Sequence, residues 1–344
     1  MKELFPEFYP PKKEEFKALW ADAIFVFDTN VLLSLYRFPP KTQAKLLGAL
    51  KKLKKRLWIP HQVALEFHRR RIEVICAQEK TYKDMLEVLA KFKEQYNKHP
   101  FLHDKQTIKA IKKACDEVEN ELKKLDGSRP KWLIEDNVLE SIEKIFEGKI
   151  GGAYDEKRLE VLYKDGTERY EKSVPPGYRD TDKDKSDKTK TRKYGDLIIW
   201  NQIIDKAKEE KKKIIFVTDE QKEDWWWKED GGRNIGARYE LKKEMMDKAG
   251  VAFHMYQSDQ FIEHSQEHLK TKIGKDILSE IKKVREELAK DFDGATKTSE
   301  ASPSGLSADS LSFSDNTASR TDTGATGDAQ GGEQSPGVTG PANL

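Results

Sequence analysis

The chain is short of cysteine, with two in 344 residues, and Cys76 and Cys115 both fall in stretches that read as helix. Two helix-borne thiols exclude a disulfide framework and fit a reducing compartment. Nowhere do eighteen apolar residues run together, which excludes a membrane-spanning helix. The first residues, MKELFPEFYPPKKEEF, contain no apolar signal core, so a soluble cytoplasmic protein with no membrane partner is expected. No serine or cysteine with a partnered histidine stands out, which disfavours covalent catalysis. Large apolar residues all but vanish after residue 290, where Ser, Thr, Gly, Ala and Asp take over. Such a stretch cannot bury enough surface to fold, so 291–344 is expected to be a disordered tail.

What is abundant is charge, and it is unevenly spread. The net charge is +2, yet residues 295–344 hold two basic side chains against six acidic ones, which leaves +6 on residues 1–294. A modestly basic folded part permits a nucleic-acid partner.

Apolar runs at Ile24–Phe27 and Ile214–Val217 read as buried parallel strands, and each ends on an acid, Asp28 in IFVFDTN and Asp219 in IIFVTDE. Glu66 lies two turns into a helix opened by Pro60, between core-facing Val63 and Phe67. Asp196 follows Gly195 and opens the helix LIIWNQII. Ligands of open α/β sheets bind beyond the carboxyl ends of the strands. Four carboxylates brought there would raise one another's pKa unless cations held them ionised, and hard Mg²⁺ or Mn²⁺ suits oxygen ligands. Asp224, five residues past Asp219, is a fifth candidate metal ligand. As plain structure, Asp28 could cap the next helix and Asp196 could serve a helix dipole. The convergence of four favours a metal-dependent phosphodiesterase. His264 and His268 share the i, i+4 spacing of a zinc pair, but surface helix histidines are far commoner.

The order DTN, Pro-x-x-x-x-x-Glu-Phe, GD and VTD resembles the PIN-like nucleases, and most closely the larger bacterial PIN-like proteins with a helical insertion. The resemblance covers roughly residues 20 to 270. It implies an α/β three-layer fold with a central parallel sheet, one or two divalent metals, and hydrolysis of phosphodiester bonds. An endoribonuclease is the first expectation, as a toxin or phage-defence effector. A structure-specific DNase is the alternative, and a non-catalytic binding module the third. Nothing in the sequence reads a 2′-hydroxyl.

Around the acids, Thr29, Asn30 and Thr218 are expected to orient carboxylates or touch phosphate. Arg71, from the arginine run 69–71, fits the resemblance as a phosphate contact. Arg169-Tyr170 and the loop Pro175-Pro176-Gly177-Tyr178-Arg179-Asp180 also resemble elements of that family, and Arg169, Tyr178 and Lys193 are expected to shape the substrate site. Trp225, Trp226 and Trp227 could stack on bases, although three neighbours cannot all face one way.

The expected organisation is a first part of the PIN-like domain at 1–80, a helical insertion and basic loop at 81–190, a second part at 191–290, and the tail. Helices between 80 and 146 are expected to pack as an arm able to bind a second copy or a protein partner. Residues 148–187 read as irregular with a tight turn at Asp165-Gly166, and Ser258 reads as the cap of one last helix through about Leu288.

Overall fold

The structure, a computed structural model, describes residues 1–98, 104–185, 190–229 and 233–300. Residues Met1–Thr298 form one compact unit. In chain order its elements begin with α1 (Lys13–Asp22), β1 (Ile24–Phe27), α2 (Thr29–Ser34), α3 (Pro40–Leu53) and β2 (Leu57–Trp58). Then follow α4 (His61–Lys98), α5 (Lys105–Ser128), α6 (Asn137–Phe146), α7 (Glu156–Glu171) and α8 (Gly195–Glu210). The last are β3 (Ile214–Val217), β4 (Trp226–Glu229), β5 (Arg233–Ala237), α9 (Tyr239–Ala249), β6 (Phe253–Tyr256), α10 (Ser258–His268) and α11 (Lys275–Glu300).

Four strands form a wholly parallel sheet in the order β2-β1-β3-β6, with Phe25 opposite Leu57 and Ile215, and Val217 opposite Tyr256. Both faces must be covered, because β1 and β3 are buried along their whole length. Phe25 and Phe27 point to one face, where Phe261 of α10 and Trp20 of α1 meet them. The indole of Trp20 also donates to the Tyr256 hydroxyl at 3.0 Å. Phe216 and Phe253 point to the other face, against Trp225 and Trp200 of α8. The result is the expected three-layer α/β architecture. The chain leaves β1 toward β2 on one side and returns to β3 and β6 on the other, so the β1/β3 seam is the topological switch point.

The helical insertion is longer and more continuous than its sequence pattern suggests. The expected division at residue 80 falls inside α4, which runs for 38 residues from the sheet layer into the arm and packs along α5. Residues 148–187 are not irregular throughout: α7 occupies Glu156–Glu171 of them, and Asp165-Gly166 lies inside it rather than in a turn. Position 166 is glycine within that helix because an added Cβ would stand 2.6 Å from the Tyr194 ring. The last helix is two, α10 and α11, and Gln257 rather than Ser258 caps α10 through a reciprocal bond with Gln260. The β4–β5 hairpin has no counterpart in the sequence reading. Beyond Glu300 the expected tail lies outside the described residues, and so does part of the charge run after Asp180. No helix among the described residues is long and apolar enough to cross a membrane.

One ionic clamp ties three helices of the second face together. Arg169 of α7 donates to both oxygens of Glu244 of α9, at 2.8 and 2.9 Å, and Trp200 of α8 donates to the same carboxylate at 2.7 Å. Burial alone would raise the Glu244 carboxyl, but Arg169, Lys248 and Trp200 outweigh it and hold it down to about 2, against an ordinary 4.5. A depressed folded pKa means stability that is complete above about pH 5 and is lost as pH falls toward 2. Glu244→Gln should therefore cost about 3 kcal/mol at pH 7 by urea denaturation. The deficit should shrink between pH 4.5 and pH 2; a deficit that stays constant with pH would mean the clamp does not act through charge.

Candidate active site

At the carboxyl end of the β1/β3 seam the backbone amide of Asp28 donates to the Val217 carbonyl at 2.9 Å, so Asp28 and Thr218 stand side by side. Asp28 caps α2, with Oδ1 accepting from the Thr29 amide at 2.7 Å. Its Oδ2 accepts from the Thr218 hydroxyl and from the Asn30 side-chain amide, both at 2.6 Å. The capping reading and the site reading thus coincide in one side chain. Asn30 goes further, since its Oδ1 accepts from the Asp219 amide at 3.0 Å and its Nδ2 reaches Thr218 at 3.1 Å. Thr29 turns its hydroxyl inward to the Val63 carbonyl at 3.4 Å, joining α2 to α4 instead of facing a substrate.

Glu66 arrives on α4, held by the Gln62 side-chain amide at 2.8 Å. Asp196 arrives on the first turn of α8, with Oδ2 accepting from the Trp225 indole at 3.0 Å. The glycine of the GD motif has a steric cause: a Cβ on Gly195 would stand 2.7 Å from Glu66 Oε1. Burial pushes the Asp28 carboxyl up to about 7, with the Thr218 bond working against it and the charges of Asp196 and Glu66 adding to it. These three acids are therefore electrostatic neighbours.

Asp224 joins them and Asp219 does not. The Asp224 side chain is wholly buried, with Oδ2 accepting from the amides of Gly177 at 3.0 Å and Arg179 at 3.2 Å. Burial, then the charge of Asp196, pushes its carboxyl up to about 7 while Lys222 opposes the shift. Its Oδ1 is buried with no hydrogen-bond partner. Asp219, in contrast, turns its carboxylate to the start of α10, where Oδ1 accepts from the Ser258 amide at 2.9 Å. Burial raises it to about 6, with the Ser258 bonds and the charge of Arg285 working against the rise and Asp259 adding to it.

Several expected substrate contacts are occupied by the protein itself. Arg71 is paired with Asp136, the cap of α6, which also accepts from the Tyr36 hydroxyl at 2.9 Å. That pairing, 17 % exposed on the arginine side, makes Arg71 a strut between α4 and α6 in place of a phosphate ligand. Arg169 is likewise a strut, because Glu244 and the Pro175 carbonyl take its guanidinium. Tyr178 stays on the rim, its hydroxyl 3.2 Å from Arg238 and 3.4 Å from Glu223. Lys193 is half-buried over the Tyr194 ring, 5.0 Å from its centre. Of the three tryptophans, Trp225 serves Asp196 and Trp226 donates to the Glu220 carbonyl at 2.7 Å. Trp227 packs against Phe8 and Tyr239. His264 and His268 belong to the aromatic cluster around Trp20, which explains their spacing without a metal.

The sequence reading missed Lys222 and the pairing of Asp180. Lys222 reaches back from the loop between Asp219 and Asp224 to the buried Asp180, and lies 3.3 Å from Glu220. Burial opposes its charge, but Glu220, Asp196 and Asp180 outweigh burial and raise its pKa. A lysine inside an acidic loop was the available signal.

Among the described residues no three or more His, Cys, Asp or Glu side chains stand close enough together to hold a metal ion. The donor chemistry nonetheless fits a hard cation. Asp28, Glu66, Asp196 and Asp224 offer only oxygen, two of the four are driven toward protonation by burial and like charge, and Asp224 Oδ1 is an orphaned buried acceptor.

The family model described as a PIN like domain matches residues 24–241, and the chain belongs to that family, whose members are generally nucleases. No curated protein and no solved structure matches the chain.

Gly177 is the residue whose backbone holds Asp224. Its φ is +93°, and a Cβ there would stand 2.5 Å from the Tyr170 hydroxyl and 3.2 Å from Asp196 Cβ. Gly177→Ala should destabilise the protein by about 2 kcal/mol. Gly152→Ala, where a Cβ meets nothing within 4 Å, should change stability by less than about 0.5 kcal/mol. Equal urea midpoints for the two variants would show that the loop does not depend on Gly177.

Proposed function

We propose that the acidic mouth at the β1/β3 seam hydrolyses phosphodiester bonds, with RNA as the substrate and Mg²⁺ or Mn²⁺ as the cofactor. The observation that carries this reading is the pair of buried carboxylates, Asp28 and Asp224, both pushed up to about 7 with Asp196 acting on each. Acids so placed bind either protons or a cation. A bound divalent ion supplies two things, a water whose pKa is lowered toward neutrality and positive charge against the charge building on the phosphate.

The chain's own residues supply position. Asp28, Glu66, Asp196 and Asp224 would hold the ion, and Thr218 and Asn30 fix the Asp28 carboxylate by two short bonds. The indole of Trp225 fixes Asp196, and Gln62 fixes Glu66. Preorganised ligands cost no rearrangement when charge develops. Lys222, charged and close to Asp196, is placed to offset part of the negative charge when a polyanion approaches. Asp219 has a supporting part here: its amide on Asn30 and its carboxylate on Ser258 pin the strand end that carries Thr218. The preference for RNA rests on the family resemblance. A cytoplasmic setting is part of the proposal, supported by two free thiols, Cys76 and Cys115.

The test is cleavage of labelled single-stranded RNA and matched DNA with Mg²⁺, with Mn²⁺ and with EDTA. Asp28→Asn and Asp224→Asn should each lower the rate at least about 100-fold. Asp219→Asn should lose about tenfold or less, mostly through stability. Cutting of DNA alone would replace RNA with DNA as substrate. No cutting of either, with tight binding kept by Asp28→Asn, would make the protein a binding module.

The raised acids also set a pH dependence. A carboxyl whose folded pKa lies near 7, against an ordinary 3.8, costs the cation-free protein stability as pH rises from about 4 to 7. A cation recovers that stability only after displacing the protons. The rise in melting temperature on adding MnCl₂ should therefore be larger at pH 8 than at pH 6. Asp28→Asn should flatten the trend; an equal rise at both pH values would remove these acids from the metal site.

A further inference from the structure

The arm formed by α4 and α5 carries two parallel apolar stripes, and only one of them is used. Tyr82, Leu86, Leu89, Lys93 and Tyr96 of α4 face α5, repeating every three or four residues as in a coiled coil. Beside them runs a second stripe with the same spacing, Thr81, Met85, Val88 and Phe92, which faces solvent. Met85 is 48 %, Val88 66 % and Phe92 48 % exposed, and on α5 Val118 and Leu125 are each 50 % exposed. Leu89, Leu122 and Val118 join the α4 stripe in lining one groove, so the face is continuous across both helices. A contiguous apolar face of this kind marks an interaction surface.

The stripes have a centre, and it is the same one on both helices. Glu79 pairs with Arg129 at 2.8 Å, and Lys93 pairs with Asp116 at 2.7 Å and Glu119 at 2.5 Å. Interpolating between these pairs puts Val88 level with Leu122. Val88 lies within a residue of the midpoint of Met85 and Phe92, and Leu122 within a residue of the midpoint of Val118 and Leu125. A two-fold axis through that level would set Met85 against Phe92 of a second copy, and Val118 against its Leu125. It would also bring Val88 to Val88.

Charge agrees with the same axis. Asp84 and Lys91 border the exposed stripe one residue before Met85 and Phe92, on the edge away from α5. In an antiparallel pairing about Val88, Asp84 of each copy meets Lys91 of the other. Lys91 has no ion-pair partner among the described residues, and Asp84 has Lys80 at 4.0 Å in an exposed pair worth little. Two helices with one unused face each are half of a four-helix bundle, and a two-fold axis makes such a contact self-complementary.

We propose that this arm binds the arm of a second copy of the chain, antiparallel about Val88 and Leu122, to form a four-helix dimer. Sedimentation velocity on the full chain tests it. The protein should be dimeric at about 100 μM. Val88→Glu should weaken self-association on the order of 100-fold, since one substitution places two carboxylates on the axis. Circular dichroism checks that this exposed position leaves the fold intact. Asp84→Lys alone and Lys91→Asp alone should each weaken it about tenfold. Mixing these two variants, or combining both changes in one chain, should restore the dimer. A monomer at all concentrations, a dimer that survives Val88→Glu, or charge swaps without effect would each overturn the proposal.

Discussion

Because Val217 accepts the amide of Asp28, the first polar residues after β1 and β3 emerge at the same height. Parallel pairing in that register, Phe27 opposite Val217, is what makes a site out of two separate strand ends. The Thr218 hydroxyl then reaches Asp28, Asn30 closes the square to the Asp219 amide, and the carboxylate is fixed before any ligand arrives. A one-residue slip would turn the strand's side chains to the opposite faces and bury the acids among Phe216 and Trp200. The aromatic packing on both faces therefore specifies the site indirectly, by allowing one register.

Helices bring the remaining acids to that seam, and small residues admit them. Gly195 lets α8 begin against Glu66, and Gly177 lets a loop pass beside Asp196 while its amide holds Asp224. A methyl group on Gly195 would collide with Glu66 itself, and one on Gly177 with the Tyr170 hydroxyl beside Asp196. The clamp of Arg169 on Glu244 and the strut of Arg71 on Asp136 lie outside this shell. They hold in place the helices and loop that carry the acids, which is why two arginines of a basic chain are consumed by structure.

How much of this was legible in sequence depends on the range of the interaction. A strand-end acid announces itself locally, by an apolar run followed by Asp, as Asp28 does, whereas Glu66 and Asp196 are read from their places in the first turns of helices. Asp219 shares the same local signal, yet its carboxylate turns toward α10, where the Ser258 amide donates to it. Asp224 had the weaker local signal, and its place is decided by amides of Gly177 and Arg179 more than forty residues earlier. The two arginines failed for the same reason, since their partners Asp136 and Glu244 lie 65 and 75 residues away. The β4–β5 hairpin was hidden by a tryptophan run whose pattern is not alternating.

The arm shows the opposite relation between sequence and structure. Its helices follow from heptad-like spacing alone, but α4 carries two such spacings, and sequence cannot say which one faces α5. The ion pairs of Lys93 and Arg129 settle that choice by fixing the hairpin's register, and in doing so release the second stripe to solvent. Burying Met85, Val88 and Phe92 elsewhere in the same chain would require bending a 38-residue helix back on itself. One continuous helix from the sheet layer instead carries the stripe into the arm. Because α4 also carries Glu66, any contact made along the arm is rigidly joined to the acidic mouth by one uninterrupted helix.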